Sequence, residues 1–306
     1  MKSNWRAAAA ALLLMSAAAR PAQAALSEGP RLAAIYDSIL NAQFDRAGTL
    51  LKAACPPAPS EACQVLAVVS MWWQIQINPA SRSRDQRFSE LAAAAIKAAE
   101  AWTRREPQRA EAWFYLAGSY APLVQWEVLR GERLAAARNA SRIKRALERT
   151  LELDPTIVDA HFGIGLYEYY ADVASSAAKL LRRLLFLPGG DRVKGLRDML
   201  QARNGGELLR GEADFQLHII YVWYEHEPGR AIELLRSLDA RFPANPIFLE
   251  RIADTYDMYL HDARMSAAVW RTLIDRAHDD RVYDAAGTST RAEMKLRALI
   301  ARQKLF

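Results

Sequence analysis

The chain has 306 residues, with 41 lysines and arginines against 35 aspartates and glutamates, a formal net charge of +6. That balance is too mild for a nucleic-acid partner, which calls for a dense basic surface. Only 14 glycines and 13 prolines punctuate a sequence rich in alanine and leucine, which argues against several mixed domains and for long helices in one extended array.

Residues 1–24 carry the three parts of a secretory signal: Lys2 and Arg6, an apolar run from Ala7 to Ala19, and small residues ending in Ala22-Gln23-Ala24. Cleavage is expected near Ala24, which removes Lys2, Arg6 and Arg20 and lowers the formal charge from +6 to +3. The apolar run is shorter than the roughly 20 residues that cross a bilayer, and no later stretch reaches that length without charges. No cysteine follows the cut to mark a lipid-anchored terminus. The expectation is a soluble exported protein, periplasmic, with envelope association left open.

Residues 31–54 read as a first helical unit, in which FDRAGTLLKAA places Ala47, Leu51 and Ala54 at the spacing of a packing face. Cys55 and Cys63 flank PPAPSEA. An oxidising compartment favours a disulfide between two helix ends; two free thiols and a redox pair are the alternatives, although the spacing is not the CxxC of redox chemistry. Residues 62–76 supply the next helix, and Ala95, Ala99 and Trp102 its partner's small and bulky positions.

At PQRAEAWFYLAGSY, Trp113, Leu116, Ala117 and Tyr120 fall at a repeat spacing, with Pro107 six residues ahead of Trp113. LERTLELDPTIVDAHFGIGLYEYY repeats the phrase with Pro155, His161, Ile164 and Gly165. GRAIELLRSLDARFPANPIFLERIADTY repeats it again with Ala231, Leu235, Leu238 and Pro243, then Leu249, Ile252, Ala253 and Tyr256. Small residues let two helices approach, bulky ones fill the space between pairs, and the proline ends each unit. Residues 209–224 add a further first helix, and a polar segment at 288–304 reads as the closing cap.

Two stretches depart from this period. The helix around 132–153 is long and carries a basic stripe, Arg138, Arg142, Arg145 and Arg149, for which Glu148 and Glu152 make a solvated, ion-paired face the simpler account. Between Tyr170 and Asp191 lies an insert, 171–190, containing KLLRRLLFLPGG.

On these residues the chain resembles the tetratricopeptide-repeat superfamily over most of 31–278. A narrower likeness, carried by FGIGLYEYYADV, LLFLPGGDRVKGLRDML and GEADFQLHIIYVWYE at about 159–250, is to a branch that includes eukaryotic inclusion-body-clearance proteins. The resemblance implies an all-α, right-handed superhelical solenoid of about six helix pairs in a single domain, 25–306, with an inserted helix near 176–187. It implies a binding scaffold and no catalytic residues.

In such an array the first helices line a concave groove. One residue past each packing position stand Leu66, Trp73, Phe114, Phe162, Tyr169, Phe215, Ile219 and Trp223, a face more aromatic than a soluble surface usually tolerates. An apolar occupant is expected. The insert is the first candidate, with its leucines plugging the groove and Lys179, Arg182 and Arg183 toward solvent. A membrane-surface helix using Leu180 and Leu184 with Arg182 and Arg183, or a displaceable lid, are the alternatives.

Signals of chemistry are thin. Gly189-Gly190-Asp191 lacks the strand and the Lys-Ser/Thr of a phosphate loop, so Asp191 reads as a helix cap. The five histidines show no HExxH or i,i+4 pair, so neither a metal nor a cofactor is expected. Asp254 and Asp257 lie one helical turn apart and are read as groove residues that bond a partner or water. No GxSxG elbow is present. The functional expectation is a non-catalytic interaction scaffold of the bacterial cell envelope holding a peptide or helix. The alternative is a ligand-binding component of an envelope transport system.

Overall fold

The computed structural model describes residues 26–184 and 186–303. The proposed signal, 1–24, lies outside them. Fourteen helices and no strand are present among the described residues. In chain order they are α1 (Gly29–Leu40), α2 (Phe44–Ala54), α3 (Ser60–Ile77), α4 (Asp85–Arg105), α5 (Ala110–Arg130), α6 (Arg133–Leu153) and α7 (Ala160–Val173). There follow α8 (Ser176–Leu184), α9 (Arg192–Gly205), α10 (Arg210–Trp223), α11 (Pro228–Arg241), α12 (Ile247–Met258), α13 (Ala263–His278) and α14 (Ala285–Gln303).

Packing follows the order of the chain. The helices associate as α1 with α2, α3 with α4, α5 with α6, α7 with α9, α10 with α11 and α12 with α13, while α14 lies on α13 and α8 makes no comparable packing with any helix. Short connections make successive helices antiparallel neighbours, so the first-to-second connections that follow α3, α5, α7, α10 and α12 share one end of the array, whereas the α1–α2 connection is bonded to that between α11 and α12. The extra length expected in the helix at 132–153 is divided between two helices, since α5 and α6 have 21 residues each.

Four of the six pairs share a turn that the composition hides. Two residues before the second helix, Ala42 (φ 53°), Gly131 (φ 85°), His226 (φ 56°) and His261 (φ 52°) all adopt the left-handed conformation. The next backbone N–H then reaches back into the first helix: Gln43 to Ser38, Glu132 to Glu127, Glu227 to Tyr221 and Asp262 to Tyr256, at 2.7–2.9 Å. These bonds satisfy terminal carbonyls of the first helix and fix how its partner folds back. Only Gly131 is a glycine, so three of the four turns carry backbone strain in a side-chain-bearing residue.

Helix α7 meets α9 through facing glycines. A Cβ at Gly195 would lie 2.6 Å from the Gly165 carbonyl and 2.7 Å from the Tyr169 backbone nitrogen. The small position at Gly165, expected from the repeat, is therefore a backbone-to-backbone contact. Cys55 and Cys63 are joined as a disulfide across the α2–α3 connection.

Segments far apart in sequence also meet. Trp73 of α3 packs against Phe215 of α10 at 4.9 Å and Phe248 of α12 at 6.2 Å. The Tyr36 hydroxyl of α1 donates to Glu212 at 3.2 Å, and Asn245 donates to the Leu40 carbonyl at 2.8 Å. The row of helices thus curves until its beginning touches α10 and α12, and one apolar core runs from Leu26 to Leu299. A smaller core gathers Phe162, Tyr169, Met199, Leu217 and Tyr221 between α7, α9 and α10.

Candidate functional site

Curvature of this kind decides the fate of the expected aromatic groove. Trp73, Phe114, Phe162, Tyr169 and Phe215 are buried. They do not line an accessible surface, because the faces they occupy are covered by other parts of the same chain. Trp73, Phe215 and Phe248 form a triangle of rings 4.9–6.2 Å apart. Phe114 packs on Tyr115 at 5.3 Å, and the Tyr169 hydroxyl donates to Glu225. Ile219 is half-buried, and of the expected groove aromatics only Trp223, 59% exposed, reaches solvent.

The segment that closes the inner face is not the insert. It is α1, whose Leu32, Ile35, Tyr36, Ile39 and Leu40 are buried and whose neighbours include Glu212, Gly211 and Asn245. Leu180, Leu184 and Phe186 instead stand in solvent. Arg182, expected outside, turns back to donate to the Ala171 carbonyl. The Gly189-Gly190 turn hugs α7, where a Cβ at Gly190 would collide with the Glu168 carbonyl. As the sequence suggested, Asp191 caps α9, accepting from the Lys194 backbone N–H at 2.9 Å.

Asp254 and Asp257 are engaged within the chain. With Glu250 they make a row of carboxylates on α12 facing cations of α14: Glu250 with Arg291 at 3.4 Å, Asp254 with Lys295 at 3.3 Å and Asp257 with Arg302 at 2.5 Å. The basic residues of the cap therefore fasten it. Three residues of the stripe on α6 find local partners as well: Arg145 donates to Ser141 at 2.7 Å and Arg149 to Glu152 at 3.0 Å, while Arg142 lies over the Tyr120 ring at 5.5 Å.

A buried polar chain at the centre escaped the sequence reading. The Trp72 indole and Gln216 both donate to Gln125 Oε1 at 3.1 Å, and Gln216 and Tyr36 donate to Glu212 at 3.1 and 3.2 Å. Burial pushes the Glu212 carboxyl above its ordinary value, against the opposing pull of its hydrogen bonds from Gln216 and Tyr36. Burial also pushes the His218 imidazole down to about 3, helped by Arg251, so it is neutral, with Nδ1 against the Phe215 carbonyl. Chemically the centre is a carboxyl whose proton is held more tightly than usual and a neutral imidazole, enclosed by aromatic rings. A signal for it was available: after Arg210, Glu212, Asp214, Gln216 and His218 are polar residues in a helix whose remaining positions are apolar, and a polar side chain buried there must find a partner. Asp214 finds Arg203 and Arg241.

The exposed apolar residues have a distinct placement. Val128, Leu129 and Leu134 flank the α5–α6 connection, Leu180, Leu184, Phe186 and Val193 occupy that between α7 and α9, Trp223 ends α10, and Met258, Tyr259, Leu260 and Met265 flank the α12–α13 connection. Among the described residues, the large hydrophobic side chains exposed to solvent all lie at first-to-second connections except Met294. Arg130 ties two of these connections together, donating to the Pro79 carbonyl at 2.8 Å and to Asp85 at 2.7 Å; Arg192 and Glu225 tie two more at 2.5 Å. The opposite end shows no such side chain among the described residues. One end of the array is therefore a discontinuous apolar surface, and this surface is the candidate functional site.

Among the described residues no group of His, Cys, Asp and Glu side chains is placed to hold a metal ion, and no helix is long and apolar enough to cross a membrane. No protein-family model matches the chain, and no curated protein matches it.

Proposed function

We propose that the protein is a non-catalytic interaction scaffold of the bacterial cell envelope: a right-handed superhelical solenoid of tetratricopeptide-like pairs that docks a peptide or helix of a partner protein. The observation that carries the reading is the concentration of exposed apolar side chains at the first-to-second connections. Trp223, Met258, Tyr259 and Leu260 are large, sit at helix ends and leave apolar area uncovered. Aromatic residues of this kind anchor protein interfaces. The export expected from residues 1–24 places such a scaffold in the periplasm. The second reading, a carrier of a small apolar molecule, has less support, because Trp73, Phe215 and Phe248 fill the interior and the helices would have to part to admit a ligand.

The test is photo-crosslinking in living cells. A photoreactive residue at Trp223 or Tyr259 is expected to give one discrete protein adduct, and the same residue at exposed Gln108, on the opposite end, none. Equal patterns from both ends, or no adduct from either connection, overturn the scaffold.

A further inference from the structure

The insert and the start of α9 differ from the rest of the apolar end in their charge. Leu180 and Leu184 lie one turn apart on α8, both exposed, and Phe186 in the following turn is 95% exposed. Phe186 also has a φ of 54°, a conformation that costs energy for a bulky side chain and here brings no packing in return. Val193, on the first turn of α9, is 77% exposed.

Around these side chains cations are in excess. Between residues 171 and 200, Lys179, Arg182, Arg183, Arg192, Lys194 and Arg197 outnumber Asp172, Asp191 and Asp198. The carboxylate of Asp198 is only 8% exposed beneath Arg197, at 71%, and Lys194, at 41%. Glu225 is likewise tucked beneath Arg192. Asp172 pairs with Lys179 at 43% exposure and Asp191 is exposed where it caps α9, so the segment presents apolar tips with cations in excess of the carboxylates that share its surface.

We infer that the described residues 179–184 and 186–197 form a peripheral membrane-docking element whose ligand is an anionic lipid surface. Leu180, Leu184, Phe186 and Val193 enter the headgroup–acyl boundary while Arg183, Arg192 and Lys194 meet lipid phosphates, the division of labour of an interfacial helix. Charge complementarity selects this occupant: a purely apolar protein groove gives no reason for the excess of cations. The inference stands apart from the partner-docking reading, since Trp223 and Tyr259 take no part in it.

The test is co-sedimentation of the protein with vesicles of phosphatidylglycerol and phosphatidylethanolamine and, separately, of phosphatidylcholine alone. Binding is expected only to the anionic vesicles, weakening as salt rises. The double variant Leu184→Ser/Phe186→Ser is expected to lose at least tenfold in apparent affinity, with an unchanged melting curve, because neither side chain is packed. Arg183→Glu, whose apolar tips are intact, is expected to lose affinity most at low salt. Wild-type protein that stays in the supernatant overturns the inference, as do variants that sediment like wild type. Self-association that the double variant abolishes, without vesicle binding, also overturns it and makes the patch a contact between copies of this chain. Crosslinking at Trp223 reports on the scaffold independently of any of these results.

Discussion

Where a second helix hands over to the next first helix, buried polar groups tie the connections together. The Asp159 carboxylate, in the α6–α7 connection, accepts backbone N–H groups from Glu207, Leu208 and Leu209 at 2.7–3.1 Å, binding the α9–α10 connection to its own. Glu111 receives Ser27 and Arg109 at 2.8–2.9 Å, and the α11–α12 connection holds the α1–α2 turn, the one first-to-second turn found at this end, through Asn41 and Asn245. Where a first helix hands over to its second, the chain leaves Leu129, Phe186, Trp223 and Leu260 in water. The first end is committed to the fold. The second leaves apolar side chains uncovered, and that difference is the observation on which the proposed scaffold rests.

Removing a tie from the committed end has the largest expected effect. Asp159→Ala leaves three N–H groups at the start of α10 without their buried acceptor and is expected to cost about 3 kcal/mol, read as a lower urea midpoint at unchanged slope.

The interior comes next, and its signature is in pH. Folded Glu212 holds its proton above the ordinary value of 4.5, so above that pH the folded chain binds more protons than the unfolded one and stability falls as pH rises. His218 acts on the acid side: unfolded, it takes a proton below 6.5, whereas folded it stays neutral to about 3, so stability falls as pH drops through that window. Glu212→Gln, which retains a hydrogen-bonding amide, is expected to flatten the alkaline limb and leave the acid limb in place. Melting curves from pH 4 to 9 check this, and an unaltered alkaline limb would show that Glu212 is ionised in the fold.

The shared turns give a smaller, two-signed effect. His226→Gly and His261→Gly relieve positive φ and are expected to stabilise by up to about 1 kcal/mol, whereas Gly131→Ala is expected to destabilise by about 1 kcal/mol. Denaturant titration of the three variants decides it. Smallest of all is Trp223→Ser on the uncommitted end, expected within about 0.5 kcal/mol of wild type in stability while losing the crosslinked partner. A large loss of stability there would erase the contrast between the ends.

Local features of the fold were legible in the sequence. The pairs around Trp113, His161 and Leu235, the break at each proline, and Asp191 as a cap all follow from spacing and short-range stereochemistry. Curvature was not, because contact between Trp73 and Phe215 spans 142 residues and no local pattern records it. The groove reading failed for the same reason: an apolar inner face has one periodicity whether it waits for a partner or is covered by its own chain. For the insert, the pattern gave amphipathicity without saying which face would be left over. The disulfide was one of three alternatives from composition, and the proximity of the two thiols decides among them.

The rows of opposite charge on α12 and α14 also bear on how the molecule responds to its surroundings. Aromatic packing, which holds the beginning of the chain to α10 and α12, is insensitive to salt, whereas half-exposed ion pairs weaken as the Debye length shrinks from about 10 Å at 0.1 M to about 3 Å at 1 M. The charged part of the grip on the last helix therefore varies with the medium, whereas its apolar part, Ala292 and Leu299 in the core, does not. In brine or in acid it is this charged seam along the last helix that weakens, while the apolar seam beside it holds.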